Sequence, residues 1–260
     1  MTAAPVSTPG SDPAADLDAL ADPTRAAGMA RFFKTGPGQY GAGDVFAGVS
    51  VPDVRRVVRS HRDLALADVD ALLRDAVHEH RLAAVLLLAD RYTRAAKRGD
   101  EAECAQVARL YLDRTAWINN WDLVDASAEY VVGPWWRSLG STGRAQRLKP
   151  ARSKSLWERR IAVLSTFHDI KLGDSGPASE VCTLLLGDRE DLIHKATGWM
   201  LREVGKRVSR ADLIAFLDEH AAVMPRTMLR YAVEHLDVEQ RAHYLATRAV
   251  GGGRPGPTGS

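Results

Sequence analysis

Three short segments at one spacing constrain the architecture of this chain more than any other feature. Arg160-Ile-Ala-Val, Lys195-Ala-Thr-Gly and Arg230-Tyr-Ala-Val each put a basic residue at the head of an apolar helical stretch, and their first residues stand 35 apart. Arg81-Leu-Ala-Ala lies 79 residues before Arg160, about two periods, with the stretch that opens Trp121-Asp122 between them. A period of roughly 35 to 45 residues holding two helices is the mark of a HEAT-type α-solenoid. The expected fold is therefore all-α, with HEAT-like helical repeats forming a superhelix around a concave basic groove. Equivalent positions in such a stack fall in register, so Arg81, Arg160, Lys195 and Arg230 would form a ladder along that groove. The alternative is an ordinary helical protein in which four basic residues fall at these offsets by chance.

The rest of the pattern is helical too. Apolar residues recur at three- and four-residue spacings through residues 82–92, 107–112, 156–167, 192–204, 213–217 and 228–236. Helix starts are expected at Asp53 after Pro52, at Asp100, at Ser155 and at Ser209; breaks are expected at Gly99, Gly133-Pro134, Gly140, Gly173, Gly176-Pro177 and Pro225. Residues 1–12 and 249–260 are rich in Pro, Gly, Ser and Thr and are expected to be disordered tails around a repeat domain at residues 13–248. Thr35 to Gly48 holds five glycines and reads as a loop, ordered or mobile, between two helices.

Charge matters by its distribution. The formal net charge is only +2, yet from Gly143 to Arg160 seven basic residues face the single acid Glu158. That local surplus suits a phosphate-binding surface as readily as a solvated basic helix face. The two cysteines, Cys104 and Cys182, stand alone in apolar helical stretches and read as reduced structural thiols. Neither a signal peptide nor an uninterrupted apolar span is visible, which points to a cytoplasmic protein without a membrane partner. HExxH, Walker and Rossmann patterns are all missing. The eight histidines are scattered without metal-ligand spacing, so each is expected at the surface or its boundary, and neither metal nor cofactor is expected.

Trp121 and Asp125 are four residues apart and project from one helical face. Taken alone, such a pair is read more simply as a core tryptophan with a surface aspartate. Arg160 and Trp199 would occupy the inner face of the next two repeats, which would gather two indoles, a carboxylate and a guanidinium on one stretch of groove.

Several segments in series carry a resemblance. They are Met29-Ala-Arg-Phe-Phe-Lys34; Val45-Phe-Ala-Gly-Val49 with Pro52, Arg55 and Arg56 beyond; Trp121-Asp-Leu-Val-Asp125; Leu156-Trp-Glu-Arg-Arg160; and Lys195-Ala-Thr-Gly-Trp-Met-Leu-Arg-Glu203. Together they resemble the AlkD-like DNA alkylation repair family from about Pro23 to Leu245. The resemblance implies excision of cationic N3- or N7-alkylated purines from double-stranded DNA by a glycosylase, without base flipping. It implies catalytic roles for Trp121, Asp125, Arg160 and Trp199; Arg160 is either a phosphate clamp or a partner holding Asp125 ionised and oriented, the first being favoured because Arg160 belongs to the basic ladder. The residues expected to bind DNA are Arg55, Arg56, Arg159, Lys195, Arg202, Lys206 and Arg230, in a protein acting as a monomer. The chain departs from the family in its long Gly-rich loop, in Phe32 and Phe33 where others have a tyrosine hydroxyl, and in Asn119-Asn120 before Trp121. Competing readings are a HEAT-repeat protein that binds DNA without chemistry and a protein-interaction scaffold.

Overall fold

The computed structural model describes residues 12–247, and within them every regular element is helical. The only strand-like pairing among the described residues is a single parallel bridge, Val45 to Val77. The tail expected at residues 1–12 falls outside the described residues except for Asp12, whose carboxylate accepts from the Ala14 N–H and so caps the first helix; residues 249–260 lie wholly outside. The chain divides into two units after Ser138.

The first unit holds α1 (Pro13–Asp18), α2 (Pro23–Phe32), α3 (Val51–Ser60), α4 (Leu66–Leu73), α5 (His78–Lys97), α6 (Glu101–Asp113), a 3-10 turn (Thr115–Trp117), α7 (Trp121–Asp125) and α8 (Ala128–Ser138). Helix α5 is its centre, packing against α1, α3, α4, α6, α7 and α8. Its run from Leu82 to Ala89 is apolar on every face and entirely buried, as suits a helix surrounded by others.

The second unit holds α9 (Gly140–Ala151), α10 (Leu156–Lys171), α11 (Gly176–Leu184), α12 (Asp191–Arg207), α13 (Arg210–His220), α14 (Arg226–Ala232) and α15 (Val238–Ala246). Here the 35-residue period becomes visible as structure. Helix α9 packs on α10 and α11 on α12, α13 packs back on α12, and α10, α12 and α14 pack against each other in sequence. Arg160, Lys195 and Arg230 sit on these three helices. At Gly198 helix α12 comes close against α14: a Cβ there would lie 2.4 Å from the Met228 carbonyl oxygen and 2.6 Å from Tyr231 Cβ.

Local signals placed three of the four expected helix starts. Asp100, Ser155 and Ser209 are N-caps, accepting from the N–H groups of Glu103, Glu158 and Asp212. The start expected at Asp53 is corrected to Ser50, whose hydroxyl caps α3 while also donating to Asp53 Oδ2 at 2.6 Å. The break expected at Gly133-Pro134 is absent, and both residues lie inside α8. Proline removes one ladder hydrogen bond there, but Val131, Val132 and Trp136 bury the same helix on either side and hold it.

The Gly-rich segment is a fastened strap. The Glu79 carboxylate, at the start of α5, accepts from the N–H groups of Ala47, Gly48 and Val49 at 2.8–3.1 Å. The His78 N–H donates to the Val45 carbonyl at 2.8 Å. Gly48 adopts φ +84° with its α-carbon against α2, where a Cβ would lie 2.1 Å from the Asp22 carbonyl oxygen, so only glycine fits.

Gly198→Ala forces α12 from α14 and should destabilise the protein by about 1–3 kcal/mol, read as a lowered Tm, whereas Gly187→Ala, with nothing within 4 Å, should leave Tm unchanged. Glu79→Ala strands three backbone donors, each costing about 1–3 kcal/mol if left unpaired. It should expose residues 35–48 to limited proteolysis before the remainder of the unit.

Candidate active site

Helix α7 is one turn long, and a helix that short does not hold itself. Three buried contacts hold it instead. Asn120 caps it, accepting from the Trp121 N–H at 2.8 Å while its side-chain amide donates to Asp44 Oδ2 at 2.8 Å. Asp122 Oδ2 lies 2.8 Å from His78 Nε2. Leu123 and Val124 are fully buried. The departure at Asn119-Asn120 is thus explained at Asn120, which is a structural bridge from α7 to the strap.

These constraints aim the two residues of the first-unit pair. Trp121 stacks on Phe33 with centroids 5.2 Å apart and meets Phe32 edge-on at 6.0 Å. Phe33 in turn stacks on Phe46 at 5.0 Å. Phe32 is 66% exposed, a large apolar ring presented to solvent beside the indole. Asp125 is half-buried and lines a concavity of about 390 Å³ in the first unit, together with Arg55, Arg59, Asp90, Thr93 and Tyr130. Arg55 and Arg59 are four apart on α3 and so share a face; both are exposed and have no carboxylate partner among the described residues. Arg55 is among the residues expected to bind DNA; Arg59 is not, although its four-residue spacing from Arg55 puts the two on one face.

Arg160 and Trp199 belong to the second unit. Arg160 is only 5% exposed and donates through Nη1 to the Leu192 carbonyl at 2.6 Å, tying α10 to α12. Trp199 is half-buried, tilted against Phe167 at 5.8 Å. Above Phe167 lie the ammonium of Lys171 at 4.7 Å and the guanidinium of Arg207 at 5.4 Å, a small basic and aromatic surface.

Several expected cations serve the fold instead of facing solvent. Arg81 is corrected from a rung of the basic ladder to a core anchor: it is 3% exposed, with Nη2 2.6 Å from Asp44 Oδ1 and Nη1 donating to the Asp75 and Ala76 carbonyls. Arg159 is likewise corrected. Its guanidinium spans both oxygens of Asp188 and donates to the carbonyls of Ser153 and Lys154, which commits its fork away from phosphate. Of the basic run at residues 143–160, Arg144 pairs with Glu180 and Arg147 with Asp169, so much of the surplus joins helices within the second unit. Lys195, Arg202 and Arg56 each have a carboxylate neighbour, in Asp191, Glu234 and Asp53. Arg230 and Lys206 are exposed, and Lys206 acts electrostatically on Glu203.

The histidine expectation is corrected as well. His61, His78 and His80 are buried, and each faces a carboxylate: Asp16, then Asp44 and Asp122, then Asp18. Burial by itself would push His78 down, but the hydrogen bonds its ring donates to Asp122 and Asp44 outweigh it and leave its pKa raised. Burial would also push Asp44 up, but His78, Asn120 and Arg81 together hold it below the usual carboxylate range. Little of this was legible, because Asp16, Asp18, Asp44 and Asp122 lie tens of residues from their histidines in sequence. Among the described residues no helix is long and apolar enough to cross a membrane.

Comparison with known proteins bears on this arrangement. One solved structure, named as a predicted DNA alkylation repair enzyme from Enterococcus faecalis, superposes with a TM-score of 0.63 at 20% identity, over 84% of this chain and 98% of that one. At that identity the likeness speaks for the fold. No curated protein matches the chain. The model of the family described as DNA alkylation repair enzyme matches residues 14–236. With that match running from α1 to the end of the last helical pair, the chain belongs to the DNA alkylation repair enzyme family.

Proposed function

We propose that the protein is a DNA glycosylase that hydrolyses the N-glycosidic bond of cationic N3- or N7-alkylated purines in duplex DNA. The observation that carries the reading is Asp125, a half-buried carboxylate in a concavity rimmed by the exposed guanidiniums of Arg55 and Arg59, four residues along α7 from Trp121. Cations at the rim suit a polyanion, and a carboxylate among them suits a cation that forms only during reaction.

An alkylated purine of this class already carries positive charge. When its bond to the deoxyribose C1′ breaks, the bonding pair moves onto the purine and neutralises it, so the base departs without a general acid. Positive charge appears on the sugar instead. Asp125 stabilises that oxocarbenium-like centre and orients a water toward C1′, whose proton the carboxylate accepts as the new C–O bond forms. The Trp121 indole, braced by Phe33, offers a π face to the same developing charge. Arg160 and Trp199 are assigned to the reaction on the family resemblance alone. A site that attacks from the backbone side leaves the base in its stack, so no flipping step enters the proposal. Arg55, Arg59, Lys206 and Arg230 are the proposed phosphate contacts.

Asp125→Asn keeps size and hydrogen-bonding shape but removes the charge. Single-turnover release of 3-methyladenine and 7-methylguanine from methylated duplex should slow roughly 10²- to 10³-fold, while Tm and affinity for undamaged duplex hold or rise. A folded variant that releases bases at the wild-type rate overturns the assignment. Duplex affinity should also fall steeply with salt as condensed counterions are released. Arg55→Ala and Arg59→Ala should each lower the slope of log K against log salt by about one unit. Arg159→Ala should instead lower Tm and leave that slope alone, since its guanidinium is held by Asp188.

A further inference from the structure

The His78 side chain is buried, with Phe33 and Phe46 against its ring at 5.1 and 4.5 Å. Its nitrogens face two different elements. Nδ1 lies 3.2 Å from Asp44 Oδ2 on the strap, and Nε2 lies 2.8 Å from Asp122 Oδ2 on α7. A neutral imidazole carries one N–H and could satisfy only one of these acceptors; the imidazolium carries two and satisfies both. The charged groups that meet here are Asp44 from the strap, Asp122 from α7, and Arg81 from α5, whose Nη2 holds the other oxygen of Asp44 at 2.6 Å. Glu79, next to His78 on α5, is occupied by the three strap N–H groups. With His78 protonated, two cations face two anions.

We propose that His78 is a positioning residue: as an imidazolium clasped between Asp44 and Asp122, it joins the strap to α7 and thereby fixes Trp121 and Asp125, so that the site stays assembled only while His78 is charged. Deprotonation would leave one buried carboxylate facing a ring nitrogen lone pair. When that carboxylate is Asp122, the broken hydrogen bond is one that anchors a single-turn helix, and a helix of that length has little stability of its own. The fold thus carries a second layer of residues, Asp44, His78, Asn120 and Asp122, whose task is the placement of α7. The assignment rests on the reading of Asp125 as the reacting carboxylate, but the clasp itself can be tested without DNA.

Two measurements test it. The first is amide hydrogen exchange, expressed as protection relative to an unstructured chain, in wild type and His78→Gln. Glutamine can donate to only one of the two carboxylates in this geometry. Protection at residues 45–49 and 121–125 should fall together by roughly tenfold or more, as expected when one buried acceptor loses its donor, while α6 keeps its protection. In wild type the same two segments should lose protection together as pH rises through the raised pKa of His78. Protection at 121–125 that is indifferent to both the substitution and pH overturns the proposal.

The second measurement is the pH profile of single-turnover base release in wild type and Asp122→Asn. Asparagine still accepts from His78 but withdraws one of the two charges that favour the imidazolium, so the alkaline fall in rate should move to lower pH. A purely structural role for Asp122 would lower the rate at every pH with the limb unmoved, and that result would refute the clasp. Coupled exchange in a protein that releases no alkylpurine would sustain the clasp and overturn the glycosylase reading, which keeps the two failures distinct.

Discussion

The Asp44 carboxylate is buried, and three donors from two other parts of the first unit converge on it: Arg81 and His78 from α5 and Asn120 from the cap of α7. A buried charge is tolerable only when it is paired and hydrogen-bonded, and removing one member of such a pair costs about 3–5 kcal/mol. The strap, the head of α5 and the one-turn helix therefore depend on one shared electrostatic balance. Its sign depends on pH at both ends. Asp44 lies below its ordinary value, so its contribution is present above the unfolded value and is lost as pH falls through the folded one. His78 lies above its ordinary value, so its contribution is present below the unfolded value and is lost as pH rises through the folded one. The arrangement is closed between those limits.

Why the candidate site was visible in the sequence only in part follows from how far its contacts reach. Caps at Asp100, Ser155 and Ser209 were legible because a cap is settled within three residues. The repeat was legible because equivalent helices recur at a fixed interval, and α10, α12 and α14 do pack in that order. Trp121 and Asp125 were legible as a pair because four residues make one helical turn. His78 and Asp122 were not, since 44 residues separate them and neither side chain alone distinguishes a buried clasp from a surface position. Pro134 was misjudged for the opposite reason: the local rule is sound, and burial of its neighbours on α8 overrode it.

The arginines show the same limit in terms of charge. A guanidinium in a sequence looks alike whether it meets phosphate or a carboxylate on the next helix. Arg144, Arg147 and Arg159, drawn from the most basic stretch of the chain, are joined to Glu180, Asp169 and Asp188. Planar, always charged and rich in donors, arginine suits such cross-helix joints better than lysine. The cations that stay exposed without a carboxylate among the described residues, such as Arg55 and Arg59, come from a stretch of modest net charge. Charge density along a chain is thus a poor guide to charge density on a surface when helices stack in pairs.

The hydrogen bond between Asn120 and Asp44 spans 76 positions of the chain. Other ties in the first unit, such as His61 to Asp16 and Arg114 to Asp70, span 45 and 44 positions, and a shorter loop costs less entropy to close. The strap's ties to His78, Glu79 and Arg81 all lie within residues 44–81, so Asn120 and Asp122 complete the cluster only once residue 122 has been made. Every member of the cluster around Asp44 nevertheless precedes residue 126. During synthesis, with domains folding from the N-terminal side as the chain emerges, the carboxylate cluster can close around α7 while the helical pairs from α9 onward are still unmade.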